Sequence, residues 1–315
     1  MGTASGDALG APYEGHWEVP AQPAMLGRPP LFDPGEWTDD TSQGVVIAEV
    51  AATGVELRLP AALAAVGDGL LAWYRAGAPG AGATTKSVLA EAGRGADLGQ
   101  VARTHFERTR LGGSNGALMR TAPVALAALG DDAALVESAM AVAALTHADP
   151  VAGEACVVWC VAIDRAIRQD RLDGAWDALL LLRPEVRERW SQWLDEATID
   201  PAPTFKPNGY APRCLQAALA AILQTPGNGL TDSIVAAVRV GDDTDTVAAV
   251  AGALLGARWG ATAIPDTWHR MLHDRWGRTA EDLERAAHAI VRRASLAAHW
   301  GSEERAPEPG RDSRP

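Results

Sequence analysis

The sequence predicts an all-α fold, a compact orthogonal multi-helix bundle, and three observations carry the prediction. Apolar residues recur at helical spacing along most of the 315 residues, alanine dominates those segments, and strand signals are nearly absent. Alanine loses no side-chain entropy in a helix, so segments rich in it favour that state. No a/d heptad is sustained, which excludes a long coiled coil.

Residues 42–51 set Val45, Val46, Ala48 and Val50 on an apolar face, with Glu49 on the wet side. Similar patterns predict helices over 61–75, 86–93, 97–108, 116–129, 132–145, 151–169, 175–195, 211–224, 231–240, 245–259 and 280–298. Between Val247 and Ala257 the side chains are small, so helix backbones can approach closely. Residues 18–36 are rich in proline and glycine, and 200–208 hold three prolines; both read as loops. The tail, 301–315, is polar, with no apolar face, and is expected to be disordered. With no repeat and no clear boundary, residues 1–300 read as one domain.

A hydrophobic fraction of 47% and a charged fraction of 22% suit a soluble globular chain. The formal net charge of −12 argues against non-specific nucleic-acid binding, which draws its energy from cationic contacts to phosphates. One nucleotide-like ligand stays compatible, because bound cations invert the local field. No secretory signal and no apolar run of membrane-spanning length is present, so no membrane partner is expected. Three cysteines make no disulfide framework; Cys156 and Cys160, four apart, read as small buried side chains. A reducing cytoplasm follows.

Two acidic clusters stand out: Thr38-Asp39-Asp40-Thr41, and Asp242-Asp243-Thr244-Asp245-Thr246. Each precedes an apolar helix, so each can cap one. A cap needs one side-chain oxygen, however, and each cluster supplies four or more. Adjacent carboxylates repel, and a hard cation with many oxygen ligands relieves that repulsion. Convergence of the two would suit a pair of Mg²⁺ or Mn²⁺ ions in a dinuclear cleft; zinc fits less well without thiolate or imidazole. On spacing alone, cap and ligand both stay open.

The segment Gly112-Gly113-Ser114-Asn115-Gly116 opens a predicted helix and fits a phosphate cradle. It also matches the nucleophile elbow of serine hydrolases, with Ser114 as nucleophile, but that motif needs a preceding strand. His269 and His273 have metalloprotease spacing, but Arg270 stands where a general base is needed. His147 alone reads as a hydrogen-bonded core histidine. Trp17, Trp37 and Trp190 read as packing residues rather than an adenine platform.

Six motifs in order carry a resemblance: Gly6-Asp7-Ala8-Leu9-Gly10-Ala11-Pro12-Tyr13-Glu14, the cluster at 38–41, Ser114 to Arg120, Thr146-His147-Ala148-Asp149-Pro150, Asn208-Gly209-Tyr210, and the cluster at 242–246. The chain resembles the ADP-ribosylglycohydrolase family from about residue 6 to residue 260. The resemblance implies a helical domain with two Mg²⁺ ions, or Mn²⁺, at the base of a cleft. Thr38, Asp39, Asp40, Asp243, Asp245 and Thr246 would be the ligands. Ser114, Asn115 and Gly116 would hold a diphosphate, and His147 and Tyr210 would line the ADP-ribose cleft. Asp242 stands where the family usually has glycine, an added carboxylate beside the ligands. The family usually carries a short helical stretch before the first motif, and here Met1 is only a few residues upstream of Asp7.

The implied activity is hydrolysis of the glycosidic bond at ribose C1 of an ADP-ribosylated acceptor, by default arginine on a protein, with the enzyme a monomer. Such cleavage passes through oxocarbenium character and needs a carboxylate to manage protons. Glu14 is the candidate, with Asp39 the alternative. A non-catalytic ADP-ribose-binding protein and a serine hydrolase using Ser114 are the competing readings.

Overall fold

The computed structural model describes residues 1–93 and 97–303. Among them the α-helices are α1 (Gly2–Gly10), α2 (Asp39–Ala51), α3 (Pro60–Arg75), α4 (Ala83–Glu91), α5 (Leu98–Thr109), α6 (Ala122–Ala127), α7 (Asp132–Ala144), α8 (Pro150–Gln169), α9 (Pro184–Ile199), α10 (Ala211–Leu223), α11 (Leu230–Val238), α12 (Thr244–Trp259), α13 (Asp266–Met271) and α14 (Ala280–Glu303). Among the described residues extended pairing is confined to isolated bridges, so the all-α expectation holds. No described helix is long and apolar enough to cross a membrane. Helix α14 runs to Glu303, and the rest of the expected tail lies outside the described residues.

Helix α8 lies at the centre. Every residue from Val151 to Ala166 is buried, as expected of a helix packed on all sides. Its Trp159 indole N–H donates to the Val250 carbonyl of α12 at 3.0 Å. Cys156, Cys160 and Cys214 are free, buried thiols, as the spacing of the first two suggested for them.

Helix α1 was not expected, and its buried face explains why. Gly2, Gly6 and Gly10 present backbone where hydrophobic spacing would show side chains. A Cβ on Gly6 would stand 1.9 Å from the Ala248 carbonyl oxygen, and one on Gly252 would stand 2.1 Å from the Gly2 oxygen. Helices α1 and α12 therefore pack backbone to backbone, and the Thr244 hydroxyl donates to Gly10 O at 2.9 Å. The small residues foreseen in α12 do serve close approach.

Other boundaries moved. The expected helix over 116–129 is a turn followed by the short α6, and 175–195 opens as a 3-10 turn, Gly174–Leu180, before Pro184 starts α9. Loop 200–208 contains a 3-10 turn at Ala202–Phe205. Loop 18–36 has no helix and is tied down by Tyr13, whose hydroxyl accepts from Ala24 N at 3.0 Å, and by Arg275, which donates to Glu36 at 2.9 Å. His269 lies in α13 and contacts Glu284, whereas His273 bonds Met271 O, so the two share no metal.

Candidate metal centre and cleft

The N-terminal turns of α2 and α12 meet beside α1. One carboxylate oxygen each from Asp7, Asp40 and Asp245 lies within 4.8 Å of the others, and all three residues are buried. Asp7 had no assigned role in the sequence, yet it builds the site. Its carboxylate accepts from Thr38 N (2.9 Å), Thr41 N (3.0 Å) and the Thr41 hydroxyl (2.6 Å). Thus α1 caps α2 across the interface, satisfying N–H groups that a helix start leaves free.

Capping of α2 is therefore supplied by Asp7 and Thr38, and Asp243, at the N-cap of α12, makes no side-chain cap bond. Asp40 accepts from the Thr246 hydroxyl at 3.0 Å, joining the two clusters directly. Asp39 accepts from Gln43 Nε2 at 3.0 Å, and Asp243 from Asn115 Nδ2 at 2.8 Å. Asp245 accepts from Thr246 N at 3.0 Å. These partners are all neutral.

Burial first, then neighbouring carboxylates, raises Asp39, Asp40 and Asp245. Asp39 is pushed up to about 7, with Asp7 and Asp243 as the repelling charges, while distant Arg120 pulls it down. Burial takes Asp7 up to about 6 against the pull of its hydrogen bonds. Asp40 and Asp245 stand well above the usual carboxylate range from burial and mutual repulsion. A set of carboxylate and hydroxyl oxygens with no thiolate or imidazole fits a hard divalent cation, which would relieve the repulsion.

A cavity of about 230 Å³ opens onto these acids. Glu14, Asp39, Asp243, Asp245, Thr246, Ser114, Asn115 and Gly116 line it, as do Gly80 and Thr84–Thr85 at the start of α4, which sequence reasoning missed. Thr38 and Asp40 lie behind the lining, and His147 is buried behind Ser114. Tyr210 stands outside at 43% exposure, bridged to Ser114 through the backbone. Glu14 is ion-paired with Arg28 of loop 18–36. Trp37 and Trp190 are core, but Trp17 is exposed, with the Lys206 ammonium 4.7 Å from its ring centroid.

Two expectations need correction. Asp242 does not face the acids. It takes φ +69°, a conformation suited to glycine, and its carboxylate accepts from Asn208 N at 2.8 Å. Its backbone pairs with His16, so it clasps the 208 loop and the segment after Glu14. The Gly112–Gly116 segment, in turn, opens no helix. Asn115 N donates to Gly209 O at 3.0 Å and Ala211 N to Gly113 O at 2.9 Å; the next helix, α6, begins only at Ala122. The Asn115 side chain is likewise committed, to Asp243 and Asn208 O. Asn208, in the Asn208-Gly209-Tyr210 motif, builds the site as well. Its side-chain oxygen accepts from Asp243 N at 2.9 Å and its amide donates to Gly241 O at 3.0 Å, setting the turn into α12.

Comparison with known proteins identifies the family and the fold. The family model described as ADP-ribosylglycohydrolase matches residues 1–299. The ADP-ribosylarginine hydrolase Tri1 of Pseudomonas putida (strain GB-1) is 27% identical over 283 residues, covering 85% of this chain and 71% of the relative. The protein of the same name from Serratia proteamaculans (strain 568) is 26% identical over 293 residues, with 85% and 72% covered. A solved structure titled ADP-ribosylglycohydrolase-related protein complex superposes with a TM-score of 0.69 at 32% identity, covering 93% of this chain and 95% of that one.

Proposed function

The chain belongs to the ADP-ribosylglycohydrolase family, and on that premise we propose that it is a divalent-cation-dependent hydrolase. It releases ADP-ribose from an ADP-ribosylated acceptor by cleaving the glycosidic bond at ribose C1, within one domain over residues 1–300. The conjugate is ADP-ribosyl-arginine, the substrate in the names of the two relatives, here carried on a protein. The observation that carries the reading is the cluster of buried aspartates with neutral partners only.

Asp39, Asp40, Asp243 and Asp245 would hold two Mg²⁺ ions, or Mn²⁺, with Thr38 and Thr246 as hydroxyl donors and Asp7 holding the turn that presents them. When bound, the cations supply a grip on the ribose hydroxyls and polarise a water. Glu14, at the cavity wall, takes a proton from the attacking water or gives one to the leaving atom. Asp39 is the second carboxylate within the same cavity able to do so. Ser114 and Gly116 form the wall that receives the diphosphate, with Asn115 holding Asp243, His147 supporting Ser114, and Tyr210 at the rim.

A panel of defined ADP-ribosylated acceptors, with and without Mg²⁺ or Mn²⁺, tests this by release of free ADP-ribose. Release from the arginine conjugate that needs the metal and stops on chelation is expected. Equal release in chelator would overturn the metal reading. Tight ADP-ribose binding with no release from any acceptor would make the protein a binder instead.

A further inference from the structure

Behind the cleft, Arg120 is 1% exposed, and among the described residues it forms no ion pair. Its Nε has no partner, and its other contacts are neutral: Nη1 donates to Gln43 Oε1 and Nη2 to the Thr146 hydroxyl, both at 2.7 Å. Burying a lone cation is costly, so a role is to be sought in what it orders.

Each branch from Arg120 has a direction, because a guanidinium can only donate. On one branch, accepting from Arg120 orients the Gln43 amide so that Nε2 donates to Asp39 Oδ2 at 3.0 Å. On the other, the buried Thr146 hydroxyl accepts from Arg120 and lies 2.8 Å from His147 Nδ1. That nitrogen is the one described acceptor for its proton; any other arrangement leaves a buried O–H unsatisfied. His147 Nδ1 then accepts, so the proton of the neutral ring is on Nε2, which donates to Ser114 Oγ at 2.8 Å. Ser114 passes the direction on, donating to Thr84 Oγ1 at 3.3 Å at the cavity wall.

We propose that Arg120 is a positioning residue for both walls of the cleft, orienting Asp39 through Gln43 and Ser114 through Thr146 and the Nε2–H tautomer of His147. One buried cation thereby sets the polarity of a relay running from the acidic cluster to the glycine-rich segment. Ser114 receives a hydrogen bond from His147 instead of losing a proton to it, so the pair is not wired as nucleophile and base. Burial and the nearby Arg120 charge keep His147 neutral, its pKa lowered to about 3.

The Asp39 branch rests on the proposed metal site; the His147 branch does not. The tautomer is read by ¹⁵N NMR of the imidazole in the full chain. Nε2–H is expected in the wild type and in Gln43→Met, whose break lies on the other branch. Arg120→Met should lose the single tautomer, and Arg120→Lys, a one-point donor, should restore one branch at most. Binding of Mn²⁺ alone, by calorimetry, should weaken about tenfold or more in Gln43→Met, with unchanged circular dichroism. An Nδ1–H imidazole in the wild type, or Mn²⁺ affinity in Gln43→Met within twofold of wild type, overturns the relay. Should Arg120→Met fail to fold, those two readouts still decide. A wild type that binds no Mn²⁺ but shows Nε2–H sinks the metal reading together with the Asp39 branch, and leaves the His147 branch standing. A wild type that turns over with Mn²⁺ but shows Nδ1–H does the reverse.

Discussion

Two sets of buried acids in this molecule are treated in opposite ways. Asp164 in α8 is fully buried and meets the guanidinium groups of Arg165 and Arg168, with Gly130 N donating at 2.8 Å. Glu154, nearly three turns earlier, meets Arg189 at 2.7 Å, Arg183 at 3.4 Å and the Trp190 indole at 2.9 Å. The cleft acids Asp7, Asp39, Asp40 and Asp245 are as buried, yet neutral groups alone donate to them. Where Asp164 and Glu154 hold helices together, the chain supplies a paired cation. Among the described residues no cation pairs with the four cleft acids, and the energetic demand falls on a cation from outside.

The contrast is open to direct attack. The largest effect belongs to Asp40→Asn and Asp245→Asn. ADP-ribose release should fall on the order of a thousandfold, the worth of several kcal/mol of transition-state stabilisation. Thermal unfolding without metal should show these variants more stable than wild type, because a repelling buried charge is gone. Full activity would remove the distinction between the two sets of acids.

On the other side, Arg165→Met strands the Asp164 carboxylate and should cost about 3 kcal/mol, read from urea unfolding. A change near zero would mean that Arg168 suffices. The metal-free chain should also respond to pH. Asp39 rises from 3.8 to about 7 on folding and Asp7 from 3.8 to about 6, so the folded state holds protons that the unfolded state releases. Their stabilisation is complete below about pH 4 and is lost as pH climbs to 7. Saturating Mg²⁺ should flatten that decline; melting curves across the range, with and without metal, measure the difference. Smallest is Ser114→Ala, which removes one acceptor and one donor and should slow release less than about tenfold. A loss as large as that of Asp245→Asn would revive the serine nucleophile.

Much of this was legible along the chain. The acids at 38–41 and 242–246 are neighbours in sequence, and the helices after them are marked by apolar spacing. Asp7 was not legible as a builder of the site, because α1 buries glycine, and glycine leaves no hydrophobic period to read. Asp242 misled for the converse reason. Adjacent letters suggest a shared role, but a positive φ turns its side chain away from Asp243 and onto Asn208. The helix expected from Gly116 is only a turn, with Leu118 N on Asn115 O, because backbone bonds tie its lead-in, Gly113 and Asn115, to the 209–211 segment.

By itself, the sequence determined the helical class, the acidic surface and the supply of carboxylates, because propensity, charge and spacing are properties of neighbouring residues. Tertiary structure alone decided which carboxylates meet and which groups orient them. Thr38 bonds Asp7 across 31 residues, Arg120 reaches Gln43 across 77, and Thr246 reaches Asp40 across 206. A side chain's direction depends on local φ and on the surface packed against it, and for these residues that surface comes from distant parts of the chain.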